Sequence, residues 1–349
     1  MRPGRYLRFA GRIAADNLER PRFPYKVLIS LTNRCNFRCR TCGIWRMKSG
    51  DELSLGEIRD FISRSRSLSW VHLTGGEVFL RKDFTEIVKR CVTGLPGLLL
   101  LNFPTDGYLT DRILEGVRRI VSFRPERLFI TVSMDGDEAL NDEIRGVRGG
   151  WRRQIETFRR LRGIPDVEVA LGMTLSPFNL HGFPRAFAAA KEVIPSLTYQ
   201  DFHMNLMHVS ARYGNEEQPL SAPDLEAMRT DVENYRKLRG LSLRPAALLE
   251  WGYLRLAGRY LATGRTPVRC HALRASCFIG PNGTVYPCST WDHPLGNLRE
   301  HDYDLARIWN SEEARRVQRE IWEGRCPHCW TPCEAYQSLL GNLFRRNPA

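Results

Sequence analysis

The sequence predicts an α/β protein: a partial (β/α)6 TIM-like barrel followed by a small Cys-rich α+β domain. Three observations carry this. Between residues 25 and 206 short apolar runs alternate with amphipathic stretches, the pattern of βα units around a parallel sheet. No pair of nucleotide-binding halves divides that run, which favours an incomplete barrel over a doubly wound sheet. After residue 206 the rhythm changes and a second group of cysteines appears.

Residues 1–24 form a basic amphipathic segment in which Tyr6, Leu7, Phe9, Ile13 and Leu18 alternate with Arg5, Arg8, Arg12 and Arg20. It has no long apolar core, so it reads neither as a signal peptide nor as a membrane span. Two readings stay open, a membrane-surface helix and, more plainly, a helix that caps the first domain by packing on it. The barrel, 25–206, has candidate strands at Lys26–Leu31, Trp70–Thr74, Gly97–Phe103, Arg127–Ser133, Val167–Thr174 and Thr198–Asn205. Candidate helices lie near 54–66, 83–91, 109–122, 151–162 and 182–192. A helical connector, 207–265, contains amphipathic stretches 223–238 and 246–262. In the last segment, 266–349, Asn282-Gly283 marks a tight hairpin and 304–323 reads as one more helix.

In barrels of this kind the chemistry sits at the C-terminal ends of the strands. Cys35-Asn-Phe-Arg-Cys39-Arg-Thr-Cys42 follows the first strand, Gly75-Gly76-Glu77 the second, Thr105-Asp106-Gly107 the third and Ser133-Met-Asp135-Gly136 the fourth. Polar and Gly-rich stretches at corresponding strand ends would ring one mouth of the barrel.

Lys plus Arg exceed Asp plus Glu by 13, spread along the 349 residues. Such a field favours acidic partners, yet no RNA-recognition signature or basic–aromatic interleaving accompanies it, which argues against nucleic acid. Ten cysteines without an export signal argue against a disulfide framework and for metal ligation or catalysis by reduced thiols in a cytoplasmic, potentially membrane-peripheral protein. All but Cys91, read as a small buried apolar residue, fall into two groups: Cys35, Cys39 and Cys42, then Cys270, Cys277, Cys288, Cys326, Cys329 and Cys333.

Thiolates bind soft metals, which leaves zinc, an iron–sulfur cluster or redox catalysis. Three cysteines in a loop without histidine cannot close a tetrahedral zinc site, whereas they can hold three irons of a [4Fe–4S] cluster and leave the fourth open. An open iron implies a bound small molecule.

Cys35-x3-Cys39-x2-Cys42, Gly75-Gly76-Glu77 and Ser133-x-Asp135 after the first, second and fourth strands resemble the radical S-adenosylmethionine (SAM) superfamily over residues 25–206. The resemblance implies that the open iron chelates the amino and carboxylate groups of SAM. It further implies that SAM is cleaved to a 5′-deoxyadenosyl radical that abstracts a substrate hydrogen, with electrons from a low-potential donor such as flavodoxin or ferredoxin. By position, Cys35, Cys39 and Cys42 would be the catalytic cluster ligands, while Gly75, Gly76 and Glu77 would receive the methionine ammonium. Ser133 and Asp135 would contact ribose, Arg145 would meet the SAM carboxylate, and Thr174 and Asn179 would line the adenosine pocket. The chain departs from the family at Thr41, where an aromatic residue usually stands beside adenine, and at Val78, where the loss of a proline is expected to loosen the turn presenting Glu77.

Cys270-x6-Cys277, Gly283-x4-Cys288 and Cys326-x2-Cys329-x3-Cys333 resemble the SPASM/twitch type of auxiliary-cluster domain. One auxiliary [4Fe–4S] cluster is the economical expectation, its four ligands drawn from both halves in several possible ways. Two incomplete clusters helped by His271, His328 or a carboxylate, and a zinc site of Cys270, Cys288, Cys326 and Cys329, stay open. Relatives of this type mostly oxidise or cross-link peptide side chains, which makes a peptide or protein the first expectation for the substrate. The stretch before the first strand is too short for the leader-binding domain many of them carry, and a basic helix there would suit a lipid-linked or small-molecule substrate. A non-enzymatic electron carrier is disfavoured, because electron transfer needs no SAM pocket. Asp201, His203, Asn205, Asp292 and His293 are the substrate-facing candidates.

Overall fold

The structure is a computed structural model that describes residues 3–18 and 20–343; residues 344–349 of the predicted last segment lie outside it. Strands β1 (Lys26–Ser30), β2 (Trp70–Thr74), β3 (Leu100–Thr105), β4 (Arg127–Ser133), β5 (Val167–Leu175) and β6 (Phe202–Leu206) pair in parallel and in sequence order. Helices α2 (Leu55–Arg64), α3 (Phe84–Gly94), α4 (Thr110–Ser122), α6 (Gly150–Leu161) and α7 (Phe183–Val193) follow the strands as expected. Strands β3 and β4 alternate, with Leu101, Phe103, Leu128, Ile130 and Val132 buried against the helices; the opposite, inward face is then free to carry polar groups.

The sheet does not stop at the barrel. β7 (Ser276–Ile279) pairs in parallel with β1, and β8 (Thr284–Tyr286) and β9 (Gly296–Asn297) continue it antiparallel, giving the order β6-β5-β4-β3-β2-β1-β7-β8-β9. The C-terminal segment is therefore built onto the barrel's own edge strand rather than tethered beside it. The connector supplies α8 (Ala222–Arg239) and α9 (Pro245–Thr263), and α9 packs against α12 (Pro332–Gly341).

Several boundaries differ from the sequence reading for local reasons. β3 starts later and runs through Pro104, which lies beyond the last β2–β3 pair, where its missing N–H removes no ladder bond on that side. Asp201 precedes β6, because Thr198 and Asp201 form a capping box that turns the backbone first. The single helix expected over 304–323 is split into α10 (Leu305–Trp309) and α11 (Glu312–Trp322) by Ser311, whose hydroxyl caps the second. Helix α5 (Glu138–Arg145), capped by Asp137, was not anticipated, nor was α12.

Helix α1 (Pro3–Leu18) closes the floor of the barrel. Ile13 joins Tyr25, Trp70 and Ala275 in a small apolar cluster, and buried Asp16 bonds His271 at 2.9 Å and pairs with Arg274 at 3.3 Å. Among the described residues no helix is long and apolar enough to cross a membrane.

Candidate functional site

The loop after β1 carries Cys35, Cys39 and Cys42, and it is anchored from two sides. Arg38 and Arg40 donate backbone N–H bonds to Arg145 O (3.1 Å) and Ile144 O (2.8 Å) of α5, and Gly43 N–H donates to Tyr213 O at 2.7 Å. Phe37, fully buried, pins the loop centre beneath the Arg145 guanidinium, 5.0 Å from its ring. Burial pushes the Cys35 thiol up to about 12 and Cys42 to about 11, and raises Cys39 although Arg145 opposes the shift. Thiols so placed ionise only when a cation compensates them.

Gly75-Gly76 crosses directly over the chain leading to Cys35. Gly75 has φ +141°, and a Cβ on Gly76 would stand 2.1 Å from Arg34 O. Gly76 N–H donates to Thr32 O (2.7 Å) and Glu77 N–H to Arg34 O (2.8 Å). The turn at Val78 is not loosened: Val78 is buried and the Glu77 carboxylate accepts from Phe79 N (3.0 Å), Asp106 N (2.6 Å) and Thr105 Oγ1 (3.0 Å). Glu77 thus clamps the second strand's loop to the third's. Burial, then the neighbouring Asp106, push its carboxyl well above the usual carboxylate range. Asp106 Oδ2, beside Cys35, is buried with no hydrogen-bond partner among the described residues.

Asp135 is buried with its carboxylate occupied: Oδ2 accepts from Arg145 Nη1 at 2.7 Å and Oδ1 from Thr174 N at 2.8 Å. That placement makes it the holder of Arg145. Arg145 is 8% exposed, no solvated surface group, and lies within electrostatic reach of Cys39 and Cys42. Ser133 ends β4, half-buried. Asn179 spends its amide on Asp135 O and Thr174 O, both at 3.0 Å, and so braces the β4 and β5 ends.

The six C-terminal cysteines separate. Besides the desolvation that dominates, Cys270 feels Cys288 and Cys326, and Cys329 feels Cys288 and Cys270. Those are the thiol neighbours that Cys270 and Cys329 feel, and as placed no three of the His, Cys, Asp or Glu side chains among the described residues already stand close enough to hold a metal ion. Cys277 is buried on β7 opposite Val27, and Cys333, at the start of α12, faces Lys26. Glu334 underlies the set, accepting from Ser289 N (3.3 Å), Ser276 Oγ (3.2 Å) and Gln337 Nε2 (2.6 Å). Gln337 in turn accepts from Lys26 Nζ at 2.8 Å. His271 is held by Asp16, and His328 Nδ1 lies 3.4 Å from Thr266 N.

A cavity of about 360 Å3 lies between the barrel's strand ends and the C-terminal segment, with Cys333 in its wall. Ser30, His72, Thr74 and Gly75 line it from the barrel; Arg212, Phe278, Tyr286, Ser289, Asp292 and Cys333 line it from the far side. The chemistry of His72 follows from its partners. Trp70 Nε1 donates to Asn102 Oδ1 (2.7 Å), so the Asn102 amide nitrogen faces His72 Nδ1 (2.6 Å), and that ring nitrogen accepts. His72 therefore carries its proton on Nε2, and burial lowers its pKa to about 3, so it is a neutral donor and no general base. Of the substrate-facing candidates only Asp292 reaches the cavity wall. His203 is bound to Glu250 (2.8 Å) and Tyr336, His293 to Glu313 (2.9 Å), and Asp201 caps its own turn. Sequence reasoning missed His72, Arg212 and Tyr286; the alternation Trp70-Val-His-Leu-Thr74 was the signal for the first, since His72 and Thr74 share a face.

Residues 29–188 match the family model described as the radical SAM superfamily, and residues 270–330 match that of the SPASM iron–sulfur cluster-binding domain. The chain belongs to the radical SAM superfamily. It is 29% identical to the PqqA peptide cyclase of Bradyrhizobium diazoefficiens, over 93% of this chain and 86% of that one. It is 25% identical to the AdoMet-dependent heme synthase of Oleidesulfovibrio alaskensis, over 90% and 81%. In fold it resembles Streptococcus suis SuiB bound to the precursor peptide SuiA, with TM-score 0.61 and 16% identity over 88% of this chain and 69% of that one.

This radical SAM enzyme takes a SAM-binding [4Fe–4S] cluster and auxiliary iron–sulfur chemistry, and the free thiols of its two cysteine regions are the donor type both require. Burial pushes the Asp106 carboxyl beside Cys35 towards its neutral form, so a SAM ammonium there would supply the charge that restores the carboxylate, and Arg145 would supply the complementary charge for the SAM carboxylate. The SPASM match decides against zinc at the C-terminal cysteines.

Proposed function

We propose that this radical SAM enzyme abstracts hydrogen from a peptide or protein side chain, leading to its oxidation or cross-linking. The observation that carries the reading is the cavity, walled on one side by the Gly75 strand end and on the other by Ser289 and Cys333 of the auxiliary-cluster segment. Its volume lies near the lower end of the ~300–1,000 Å3 typical of ligand pockets, which suits one or two side chains of a chain threading past. The peptide substrates named for PqqA peptide cyclase and SuiB support the same reading.

In this proposal Cys35, Cys39 and Cys42 hold the SAM-binding cluster, and Cys270, Cys288, Cys326 and Cys329 hold one auxiliary cluster, with Cys277 and Cys333 outside it. When bound, the first cluster supplies the electron that cleaves SAM to the 5′-deoxyadenosyl radical. Gly75, Gly76 and Asp106 receive the methionine ammonium, Arg145, aimed by Asp135, the carboxylate, and Ser133 the ribose. Glu77 keeps the mouth of the barrel assembled, and the cavity walls exclude water from the radical. An external flavodoxin or ferredoxin supplies electrons, and an acidic donor suits a chain of net charge +13. Helix α1 is assigned to closing the barrel floor, since Asp16 and Ile13 are spent on packing there.

The test is anaerobic turnover of reconstituted enzyme with SAM, reductant and deuterated cell-derived peptides, tetrapyrroles and lipids in separate reactions. Deuterium appearing in 5′-deoxyadenosine from the peptide fraction supports the reading; transfer only from tetrapyrroles or lipids overturns the peptide assignment.

A further inference from the structure

The cavity holds a charged group that neither the SAM site nor the auxiliary cysteines use. Arg212, in the turn after β6, stands over two aromatic rings, its guanidinium carbon 3.8 Å from the Tyr286 centroid and 4.6 Å from that of Phe278. Its side chain is 14% exposed, and its Nε is buried with no hydrogen-bond partner. Its sole carboxylate neighbour among the described residues is Asp292, 3.8 Å away and 53% exposed. That separation is a loose ion pair and no hydrogen bond, and an exposed pair of this kind stabilises little. The terminal donors of a rigid fork are thus held in place beside a cavity, with no acceptor within hydrogen-bond distance among the described residues.

The other polar groups of the cavity point to the same ligand. His72 presents a neutral N–H, Ser30 and Ser289 present hydroxyls, and Lys48 adds a second positive charge at the rim, against the single carboxylate of Asp292. We infer that Arg212 is the substrate anchor of this enzyme and that it binds a carboxylate on the substrate, displacing Asp292. For a peptide substrate this means a Glu or Asp side chain next to the residue that loses hydrogen. The inference rests on the reading of the cavity as the substrate site but not on the substrate being a peptide.

Two matched probe pairs separate those claims: a short synthetic peptide containing Glu against the same peptide with Gln, and glutarate against glutaramide. Each is titrated calorimetrically into anaerobically reconstituted enzyme with SAM bound. A charge-assisted bidentate contact should favour the carboxylate member at least about tenfold, and Arg212→Gln should abolish that preference in both pairs. Arg212→Lys, which keeps the charge but loses the planar fork, should retain only part of it and serves if Arg212→Gln fails to fold. Equal binding of acid and amide by the wild type, or a preference that survives in a folded Arg212→Gln variant, overturns the inference. A preference confined to glutarate upholds the anchor and counts against the peptide reading.

Discussion

Replacing the C-terminal cysteines one at a time should split them into a group of four and a pair. The wild-type enzyme, reconstituted anaerobically, is expected to carry about eight irons, four for each [4Fe–4S] cluster. Cys288 and Cys326 bear electrostatically on Cys270, and Cys288 and Cys270 on Cys329, while Cys277 is buried against β1 and Cys333 faces Lys26. Cys288→Ala and Cys326→Ala should therefore drop the content toward about four irons. Cys277→Ala and Cys333→Ala should stay near about eight. For Cys277 the remaining effect is packing: deleting one buried sulfur from the core should cost about 1 kcal/mol, as other small truncations do, visible as a modest fall in Tm. Iron and sulfide analysis with electron paramagnetic resonance of the reduced protein reads the result. Loss of about four irons in Cys277→Ala, or about eight retained in Cys288→Ala, would refute the assignment.

Three further outcomes follow from the barrel mouth and its seams. Glu77→Ala leaves Thr105 Oγ1, Asp106 N and Phe79 N without their acceptor, each costing roughly 1–3 kcal/mol; SAM affinity by equilibrium dialysis should fall while iron content holds. Asp135→Asn breaks the buried pair with Arg145, whose side chains are 10% (Arg145) and 1% (Asp135) exposed, and should cost about 3–5 kcal/mol with weakened SAM binding; unchanged affinity would remove Arg145 from the carboxylate role. Glu57 bonds Arg299 across the barrel–C-terminal seam, which lowers its carboxyl to about 2. Its folded pKa lies below the unfolded value near ~4.3, so it stabilises above that pH and the contribution is lost as pH falls toward 2. Thermal unfolding from pH 7 to 3 should accordingly show a smaller acid-induced drop in Glu57→Gln than in wild type.

The strand ends were legible because each is marked by residues that packing does not ask for: thiols after β1, Gly75-Gly76 after β2, Asp135 after β4. The helix starts at Ser54, Asp137, Ser221 and Ser311 carry capping side chains, so the unforeseen α5 and the split at Ser311 did have local signals. What local pattern cannot contain is partnership at long range. Ser276-Cys-Phe-Ile279 reads as half a hairpin, and nothing within it says that its other edge meets Lys26–Ile29. Arg145 shows the same limit: its burial depends on Asp135 and Phe37, brought together by α5 and the cysteine loop.

The placement of β7 on β1 has a consequence for how the chain is made. The first strand of the barrel leaves the ribosome with one edge served by β2, while its other neighbour is synthesised only after residue 275. Asp16 and Lys26 wait longer still, for His271 and Gln337, 255 and 311 residues downstream. At ~5–20 residues per second that delay is roughly ten seconds to a minute, during which an apolar parallel edge is open to foreign strands. A chain cut before Ser276 should therefore leave the ribosome with that edge permanently open and accumulate as aggregate.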